Sequence, residues 1–378
     1  MHSKKSNRIK NFMFFCFTCG IKGFILSFFI EIVLHKENNM KEFAKAVLGF
    51  QEPVTKALQN TILTMPKSVQ KIAEYALLSG GKRLRPCLTL IWYNMLKGAN
   101  LIQHSTLSIY DSAIVLEMFH VASLLHDDVL DDADLRRGKE SAHIKFGIRP
   151  CLLAGDALLA TGNKLMAEFQ NVALMNVISD ALLKTANGEI EEIELAGKVP
   201  SHEQEYLSVI EGKTAWIIRS ACLVGAIMAG ASKEDQEKAA NYGLNLGMAF
   251  QIVDDALDFS DESIIGKPAG GDLRERKCTP PILMYIQSLT KEEQQEFIEK
   301  FSVLPSPIFE HQKQEKIGFT EQELAEITQK IIQAKYPEKT RELASKYLQK
   351  AEESLHDFTG QNKELLLEAL EYVRSRNK

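Results

Sequence analysis

Two clusters of aspartates have the residue types and spacing to bind metal ions. In LLHDDVLDDADLRRG, residues 124–138, five aspartates fall within eight positions. Residues three or four apart share a helix face, so Asp127, Asp128 and Asp131 converge and repel one another unless a cation compensates. The apolar lead-in HVASLLH argues against a solvated acidic surface. Carboxylates suit Mg²⁺, which often bridges to substrate phosphates, so the stretch predicts a metal and phosphate site.

The stretch FQIVDDALDF, residues 250–259, repeats this arrangement. Asp254, Asp255 and Asp258 have the same spacing within another apolar helix. One acidic cluster alone could be a surface, but two with equal spacing and apolar context predict facing walls of one cavity. Metal ions held between the walls would bind a diphosphate.

Basic residues accompany the acidic clusters. Arg136 and Arg137 follow the first cluster and are expected to form charge-assisted hydrogen bonds to phosphate. The stretch GGKRLRP begins with two glycines that permit a tight turn. It brings Lys82 and Arg85 close together, which suggests a second anion pocket without a metal. In EGKTA, Lys213 lies within a helical region, where a buried lysine needs a counter-anion.

The elements that must position these residues are predicted to be helices. Long stretches without proline separate Pro86, Pro150, Pro200 and Pro268, and apolar residues recur in them at helical spacing. Alternating β-branched runs between turn pairs are missing, so no strands are expected. Loops are expected at 260–281 and 302–319. The sequence predicts an all-α domain of about ten or more helices.

Composition limits the class of protein. The 378 residues, with 45% hydrophobic content, can form a sizeable core, and a net charge of −5 argues against a nucleic-acid binder. Six scattered cysteines do not form a disulfide framework and suit a reducing compartment, so a cytoplasmic location is expected. We expect one catalytic domain over 40–378.

The N-terminal 1–39 differ from the rest of the chain, with a basic start and an apolar run at 11–34. One interpretation is an anchor or targeting segment that contacts a membrane. The favoured interpretation is an upstream extension that is not part of the working protein, because Met40 would serve as a first residue.

Taken together, these motifs resemble the trans-isoprenyl diphosphate synthases, in particular the medium- and long-chain octaprenyl type. GGKRLRP, LLHDDVLDDADLRRG, LAGDALLA, GKTA and FQIVDDALDF occur in this order, and the resemblance covers roughly residues 42–378. It implies a bundle of long helices around a deep central cavity (the isoprenoid synthase fold), Mg²⁺ as cofactor and a homodimer. The substrates implied are isopentenyl diphosphate and an allylic diphosphate.

The resemblance also implies a role for each matching residue. Mg²⁺ would be bound by six aspartates: Asp127, Asp128, Asp131, Asp254, Asp255 and Asp258. The allylic diphosphate would be contacted by Arg136, Lys213 and Lys267. The diphosphate of isopentenyl diphosphate would be held by Lys82, Arg85, His120 and Arg137. Thr214 and Gln251 would line the reacting end of the site. Lys267, Asp272 and Lys277 lie in a loop that is expected to close over the diphosphate.

Product length should depend on the helix before Asp127, along which the growing chain is expected to extend. Ser123, Ala122 and Phe119 lie four, five and eight positions earlier. Each helical turn rises about 5.4 Å, close to the reach of one isoprene unit. Ser123 and Ala122 are small, so the space expected for the growing chain is open at their level. Phe119 could narrow that space one helical turn deeper. A product of about C35 to C50 for quinone side chains is favoured over a farnesyl or geranylgeranyl product.

Other functions stay open at this point. A class I terpene cyclase would share the fold and the first motif, but it would not need the second plain DDxxD or the GGKRLRP pocket. A non-catalytic partner subunit would be expected to have lost aspartates from one motif, and both motifs are whole here.

Overall fold

The computed structural model describes residues 41–97, 106–260, 269–303 and 318–376. These residues form an all-α structure, as the sequence predicted. The first helices are α1 Lys41–Thr64, α2 Lys67–Leu77, α3 Leu84–Leu96, α4 Ile109–Leu130, α5 Ala142–Phe146, α6 Ile148–Glu168, α7 Val172–Leu195 and α8 Glu203–Ile210. A π-helical turn, Glu211–Ala215, joins α8 to α9 Trp216–Met228. The later helices are α10 Lys233–Leu257, α11 Gly271–Arg274, α12 Pro280–Gln287, α13 Lys291–Phe301, α14 Glu321–Gln333, α15 Tyr336–Glu353 and α16 Gln361–Arg374.

Local sequence explains where several of these helices begin. A capping box of Ser108 and Asp111 starts α4, and Thr320 with Glu323 does the same for α14. Pro280 occupies the first position of α12, where its missing N–H leaves no hydrogen bond unmade. Turn and cap chemistry therefore divides the chain into helices before tertiary packing arranges them.

The expectation of no strands was wrong at one place. Leu135–Arg136 and Lys139–Glu140 pair as a two-residue antiparallel hairpin. Arg137 and Gly138 between them both have positive φ, which matches the type I′ turn that suits such hairpins. The prediction depended on finding alternating runs of β-branched residues. Strands of two residues are too short to show such a run. The effect of this hairpin is to turn the two arginines back toward α4. The region 260–281 also differs from a simple loop, because α11 forms within it.

The buried helices α4 and α10 carry the two acidic motifs. α4 packs against α6 and α3, whereas α10 packs against α9 and α15. Large buried side chains, including Trp92, Tyr242 and Leu116, fill the core between these elements. Burying one such side chain contributes roughly 1.5–3 kcal/mol, so the core fixes the positions of both helices.

Two further properties follow from the described residues. The four cysteines among them are free thiols, in line with the expected lack of a disulfide framework. No helix in these parts of the chain has the length and apolar character needed to span a bilayer. The prediction for residues 1–39 lies outside the described residues.

Candidate active site

The first acidic motif lies at the C-terminal end of α4, where Asp131 is the C-cap residue. Backbone carbonyls at a helix C-terminus add partial negative charge, so this end attracts cations. Burial, and then the negative charge of the nearby Glu189, raise the pKa of Asp127 to about 7. Burial also raises the pKa of Asp131. Both carboxyl groups are therefore held in a place that disfavours their charged form unless a cation is bound.

Asp128 has a different environment from its two neighbours. It is buried, and its Oδ1 accepts a hydrogen bond of 2.7 Å from Nε of Arg136. Arg136 also forms a second, closer ion pair with the same oxygen through Nη2. The predicted metal ligand and the predicted diphosphate contact are thus paired with each other, and the hairpin that carries Arg136 is fixed to α4.

The second motif lies at the C-terminal end of α10, and its three carboxylates have separate partners. Asp254 forms an ion pair with Arg376, beyond the end of α16. Asp255 accepts hydrogen bonds from the Tyr206 hydroxyl at 2.5 Å and from Gln251 at 2.8 Å. Asp258 is the C-cap residue and accepts a hydrogen bond from the backbone N–H of Asp272 at 2.9 Å.

Burial also raises the pKa of carboxyl groups in and beside the second motif. The pKa of Asp255 is raised mainly by burial, and so is that of Asp272, which the negative charge of Asp258 raises further. Oδ2 of Asp272 is buried and has no hydrogen-bond partner among the described residues. This wall, like the first, concentrates carboxylate oxygens where a cation would be favoured.

Lys213 and Lys277 lie between the two acidic walls. Lys213 donates to Glu192 at 2.7 Å and to Glu189 at 3.0 Å, and Lys277 lies 3.3 Å from Glu192. Burial lowers the pKa of Lys213, but the two glutamates outweigh it and raise the pKa above its ordinary value. Both lysines therefore stay charged beside the first motif. Glu189 and Glu192 are the counter-anions that were predicted for a buried Lys213. Glu192 holds the two lysines together as fixed positive charges.

Two glycines make this arrangement sterically feasible. Gly188 of α7 lies against the π-helical turn, and a Cβ atom on it would be 2.3 Å from the backbone N of Lys213. A Cβ atom on Gly212 would be 2.8 Å from the carbonyl oxygen of Lys184. Real Cβ atoms cannot come so close, so only glycine allows α7 to approach the turn. The approach brings Glu189 within reach of Lys213.

A chain of hydrogen bonds joins the π-helical turn to the second motif. The Thr214 hydroxyl donates to Oε1 of Gln251 at 2.7 Å, and Nε2 of Gln251 donates to Asp255. Tyr206 of α8 completes the chain from the other side of Asp255. Thr214 and Gln251 are thus beside the acidic motif, where they were expected to line the reacting end.

Tyr206, Gln251 and Asp255 of this chain also line a cleft, whose volume with its open mouth included is about 690 Å³. Its polar lining includes Glu192, Lys213, Gln251, Asp255, Asp272 and Lys277. Apolar side chains such as Leu195 and Ile210 form the rest of the wall. The cleft combines carboxylates, fixed cations and an apolar surface, as a ligand with a charged head and a hydrocarbon tail would need.

A separate group of basic side chains, called the basic pocket below, lies where α3 begins. Gly80 and Gly81 have positive φ, as the predicted tight turn requires. The guanidinium of Arg137 donates to the carbonyl of Gly80 and covers Gly81, where a Cβ atom would be 2.9 Å from Nη1. Burial lowers the pKa of Arg85 to about 10, with Glu117 acting against this shift and Arg137 adding to it. Lys82 donates to the Tyr372 hydroxyl and lies 5.0 Å from that ring centroid.

His120 of α4 lies near the arginines of this pocket, which come from other elements. Its pKa is well below the ordinary value, first because of burial and then because of Arg85 and Arg137. The imidazole is therefore neutral at pH 7 and can both donate and accept hydrogen bonds.

The donor set fits Mg²⁺. Asp127 and Asp131 form no side-chain hydrogen bond or ion pair with other described residues, so their oxygens face no competing protein cation at bonding distance. No three acidic, histidine or cysteine side chains of the described residues lie close enough to enclose an ion by themselves. Water and diphosphate oxygens would complete the coordination, which is how Mg²⁺ is usually bound with phosphates.

The residues predicted to control product length lie along α4 below Asp127. Ser123 is half-buried, and its hydroxyl donates to the carbonyl of His120. Ala122 is fully buried in the core. Phe119 is buried with its ring against α6, where a Cβ atom on Gly162 would come within 2.6 Å of it.

The structure therefore places Lys213, Gln251, Asp255, Asp272 and Lys277 in the lining of one cleft, and it brings Lys82, Arg85 and Arg137 together near the start of α3. Lys267 lies outside the described residues. The sequence interpretation missed Glu189, Glu192, Tyr206, Tyr372 and Arg376, which contact predicted residues. A glycine followed by acids within α7 was the only local signal, in GEIEEIE. No local sequence signal marked Tyr206, Tyr372 or Arg376.

Comparison with known proteins agrees with this chemistry. The family model described as Polyprenyl synthetase matches residues 66–307. A solanesyl-diphosphate synthase 2 of Oryza sativa subsp. japonica is 34% identical over 268 residues, which are 70% of this chain and 63% of that protein. The heptaprenyl diphosphate synthase component 2 of Bacillus subtilis is 30% identical over 325 residues, 85% of this chain and 87% of that protein.

Proteins named as short-chain isoprenyl and geranylgeranyl diphosphate synthases match as well. Among solved structures, a polyprenyl synthase from Caulobacter crescentus, complexed with calcium and isoprenyl diphosphate, is similar with a TM-score of 0.78 and 30% identity. The match covers 91% of this chain and 100% of that one.

Proposed function

The chain belongs to the polyprenyl synthetase family of prenyltransferases, and we propose that it extends an allylic diphosphate with isopentenyl diphosphate units to a long-chain product. One observation carries this proposal: the protein has two different kinds of anion site. The cleft lined by Asp255 and Asp272 contains carboxylates for metal ions and the cations Lys213 and Lys277, and Lys213 lies near enough to Asp127 to lower the pKa of that carboxyl. The pocket of Lys82 and Arg85 is basic without acidic metal ligands.

In the proposed reaction the allylic diphosphate lies in the acidic cleft. Lys213 and Lys277 form charge-assisted bonds to its oxygens and stabilise the negative charge that grows as the allylic C–O bond breaks. Mg²⁺ bound by the two aspartate motifs would supply further charge neutralisation of this leaving group. The electron pair of the broken bond leaves with the diphosphate, and an allylic cation remains.

The basic pocket orients the second substrate. Lys82, Arg85 and Arg137 hold the diphosphate of isopentenyl diphosphate, and neutral His120 adds a hydrogen bond without further charge. The double bond of this substrate then forms the new C–C bond to the allylic cation, and a proton passes to the released diphosphate. Apolar residues of the cleft, such as Leu195, exclude water, which would otherwise quench the cation.

A long product, about C35 to C50, is the finer part of the proposal. Small side chains at Ser123 and Ala122 support it, since an aromatic side chain at either position would add bulk about one helical turn from Asp127. The similar proteins have both long-chain and short-chain names, so product length depends on this chain's own side chains.

We also propose that two copies of the chain form a dimer through α7. Val172, Leu183, Ile190 and Ile193 are exposed, and their spacing of eleven, seven and three positions puts them on one helical stripe. Leu153 of α6 is exposed as well. A second copy would bury this stripe against its own equivalent, as two-fold symmetry allows. Two relatives are named as synthase components, which makes an unlike partner the rival arrangement.

The test is an extension assay with farnesyl diphosphate, labelled isopentenyl diphosphate and Mg²⁺, in which products are dephosphorylated and sized by chromatography. The proposal predicts a ladder that ends near C40 and is lost in Asp127→Ala and in Asp254→Ala. Incorporation that stops at C15 or C20 would refute only the long product. No incorporation by folded protein would refute the synthase, and cyclic hydrocarbon from an allylic diphosphate alone would indicate a cyclase.

A further inference from the structure

A buried carboxylate lies behind the basic pocket. Glu117 of α4 is only 2% exposed, and its Oε1 accepts a hydrogen bond of 2.7 Å from Nη1 of Arg83. Arg83 is 6% exposed, so the whole pair is removed from water. Neither residue is among those to which a substrate contact was assigned above. An ion pair that is this deeply buried is costly to desolvate and is not needed for stability alone.

Arg83 connects three elements through this pair. It adopts the left-handed conformation at φ 51° just before α3, between Lys82 and the start of the helix. Its Nη2 donates to the carbonyl of Leu77, the last residue of α2. The end of α2, the start of α3 and the middle of α4 are thus joined at one guanidinium. The side chain points away from the pocket while its neighbours Lys82 and Arg85 contribute to it.

The charges around Glu117 are otherwise positive. Burial alone would raise its pKa, but Arg83, Arg85 and then Arg137 outweigh this effect and lower it. The carboxylate therefore stays ionised. Its second oxygen, Oε2, is buried and has no hydrogen-bond partner among the described residues. The pairing with Arg83 therefore uses only one of the two oxygens of Glu117.

We propose that Glu117 is a positioning residue for the isopentenyl diphosphate pocket. Its carboxylate holds Arg83 inward and balances the neighbouring guanidinium groups, so that Lys82, Arg85 and Arg137 stay together before the substrate arrives. This inference rests on the proposed function of the basic pocket. It assigns Glu117 no contact with substrate and no part in the allylic site, which lies at the C-terminal end of α4.

The test is steady-state kinetics of Glu117→Gln, with each substrate varied in turn. We expect the KM for isopentenyl diphosphate to rise about tenfold or more, since a buried charge-assisted bond is lost. The KM for the allylic substrate should change less than about twofold. Asp111→Asn removes a structural carboxylate from the start of the same helix and serves as the matched control, with both KM values unchanged. A rise of both KM values together in Glu117→Gln, or of neither, would overturn the proposal.

A second measurement does not depend on catalysis. Calorimetry with inorganic diphosphate in the presence of a chelator reports the metal-free basic pocket, and Glu117→Gln should weaken this binding about tenfold. If wild-type protein binds diphosphate here but incorporates no isopentenyl diphosphate, the proposed function fails while the role of Glu117 is still measured. Should Glu117→Gln not fold, Glu117→Asp keeps the charge with a shorter reach and should show an intermediate loss. Unchanged diphosphate binding in Glu117→Asp and Arg83→Gln would overturn the proposal.

Discussion

Gly212 lies against Gly188 so closely that a Cβ atom built on Gly212 would be 3.0 Å from the Cα of Gly188. The contact lets α7 meet the π-helical turn, and it places Glu189 and Glu192 beside Lys213. π-Helical turns are rare and often occur at functional sites. Here the turn and the glycine contact together determine where Lys213 lies.

Gly188→Ala should therefore abolish synthase activity and lower stability by about 1–3 kcal/mol, because the added methyl group overlaps the backbone of the turn. Gly49→Ala is the matched control: Gly49 is an exposed helical glycine with open space around it, and alanine should be neutral or stabilise by up to about 1 kcal/mol. Thermal unfolding and the extension assay measure both effects. Full activity in Gly188→Ala would show that the contact does not position Lys213.

Ser123→Phe should shorten the longest product to about C15–C20, because an aromatic ring would occupy the level one turn, about 5.4 Å, below Asp127. Leu124→Phe changes the adjacent residue, which faces the groove toward Tyr75, and should leave product length unchanged. Chromatography of dephosphorylated products distinguishes the two. If both variants retain the wild-type ladder, the growing chain does not pass Ser123.

His120 should make the protein sensitive to acid. Above about pH 6.5 the imidazole is neutral in both folded and unfolded chains, so it does not affect stability. Below that pH the unfolded chain binds a proton, while the lowered pKa keeps folded His120 neutral among arginines. The free energy of unfolding should then fall by about 1.4 kcal/mol per pH unit from this residue.

Denaturant unfolding of His120→Gln between pH 7 and 5 tests this slope. The variant should lose stability less steeply than the wild type as the pH falls. His356→Gln replaces an exposed histidine and should keep the wild-type slope. Identical slopes for wild type and His120→Gln would mean that His120 binds its proton normally in the folded protein.

Arg376→Gln should lower the Mg²⁺ concentration for half-maximal activity by about threefold, as expected for a partly exposed ion pair of under 1 kcal/mol. The guanidinium pairs with Asp254 and covers Phe250 at 4.4 Å, so a metal ion must compete with it. Arg374→Gln removes an arginine that pairs with Glu371 on the surface and should change nothing. A higher Mg²⁺ requirement in Arg376→Gln would contradict this competition.

Leu183→Glu and Ile190→Glu should convert the proposed dimer to monomers, because a dimer would have to bury the added charges. Lys184→Glu changes charge at the neighbouring exposed position outside the apolar stripe and should leave the dimer intact. Light scattering gives the mass of each species. A wild-type monomer that gains activity only with a second, different chain would support the heteromeric arrangement instead.

The sequence by itself determined the all-α class and the chemistry of the site. Helical periodicity and proline spacing define helices locally, and two sets of aspartates at i, i+1 and i+4 in apolar helices indicate cation binding. The same holds for the basic turn of Gly80 and Gly81, because only a glycine-rich segment readily adopts its backbone angles. These properties depend on neighbours in the chain, so they can be inferred from a single sequence.

Only the tertiary structure decided which residues share a site. Tyr206, Tyr372 and Arg376 reach Asp255, Lys82 and Asp254 from helices far away in sequence, and no local pattern predicts such contacts. The unequal roles of the aspartates have the same origin, since Arg136 pairs with Asp128 but not with Asp127. Burial and long-range charge shift each pKa, and both depend on how the helices pack rather than on the order of residues.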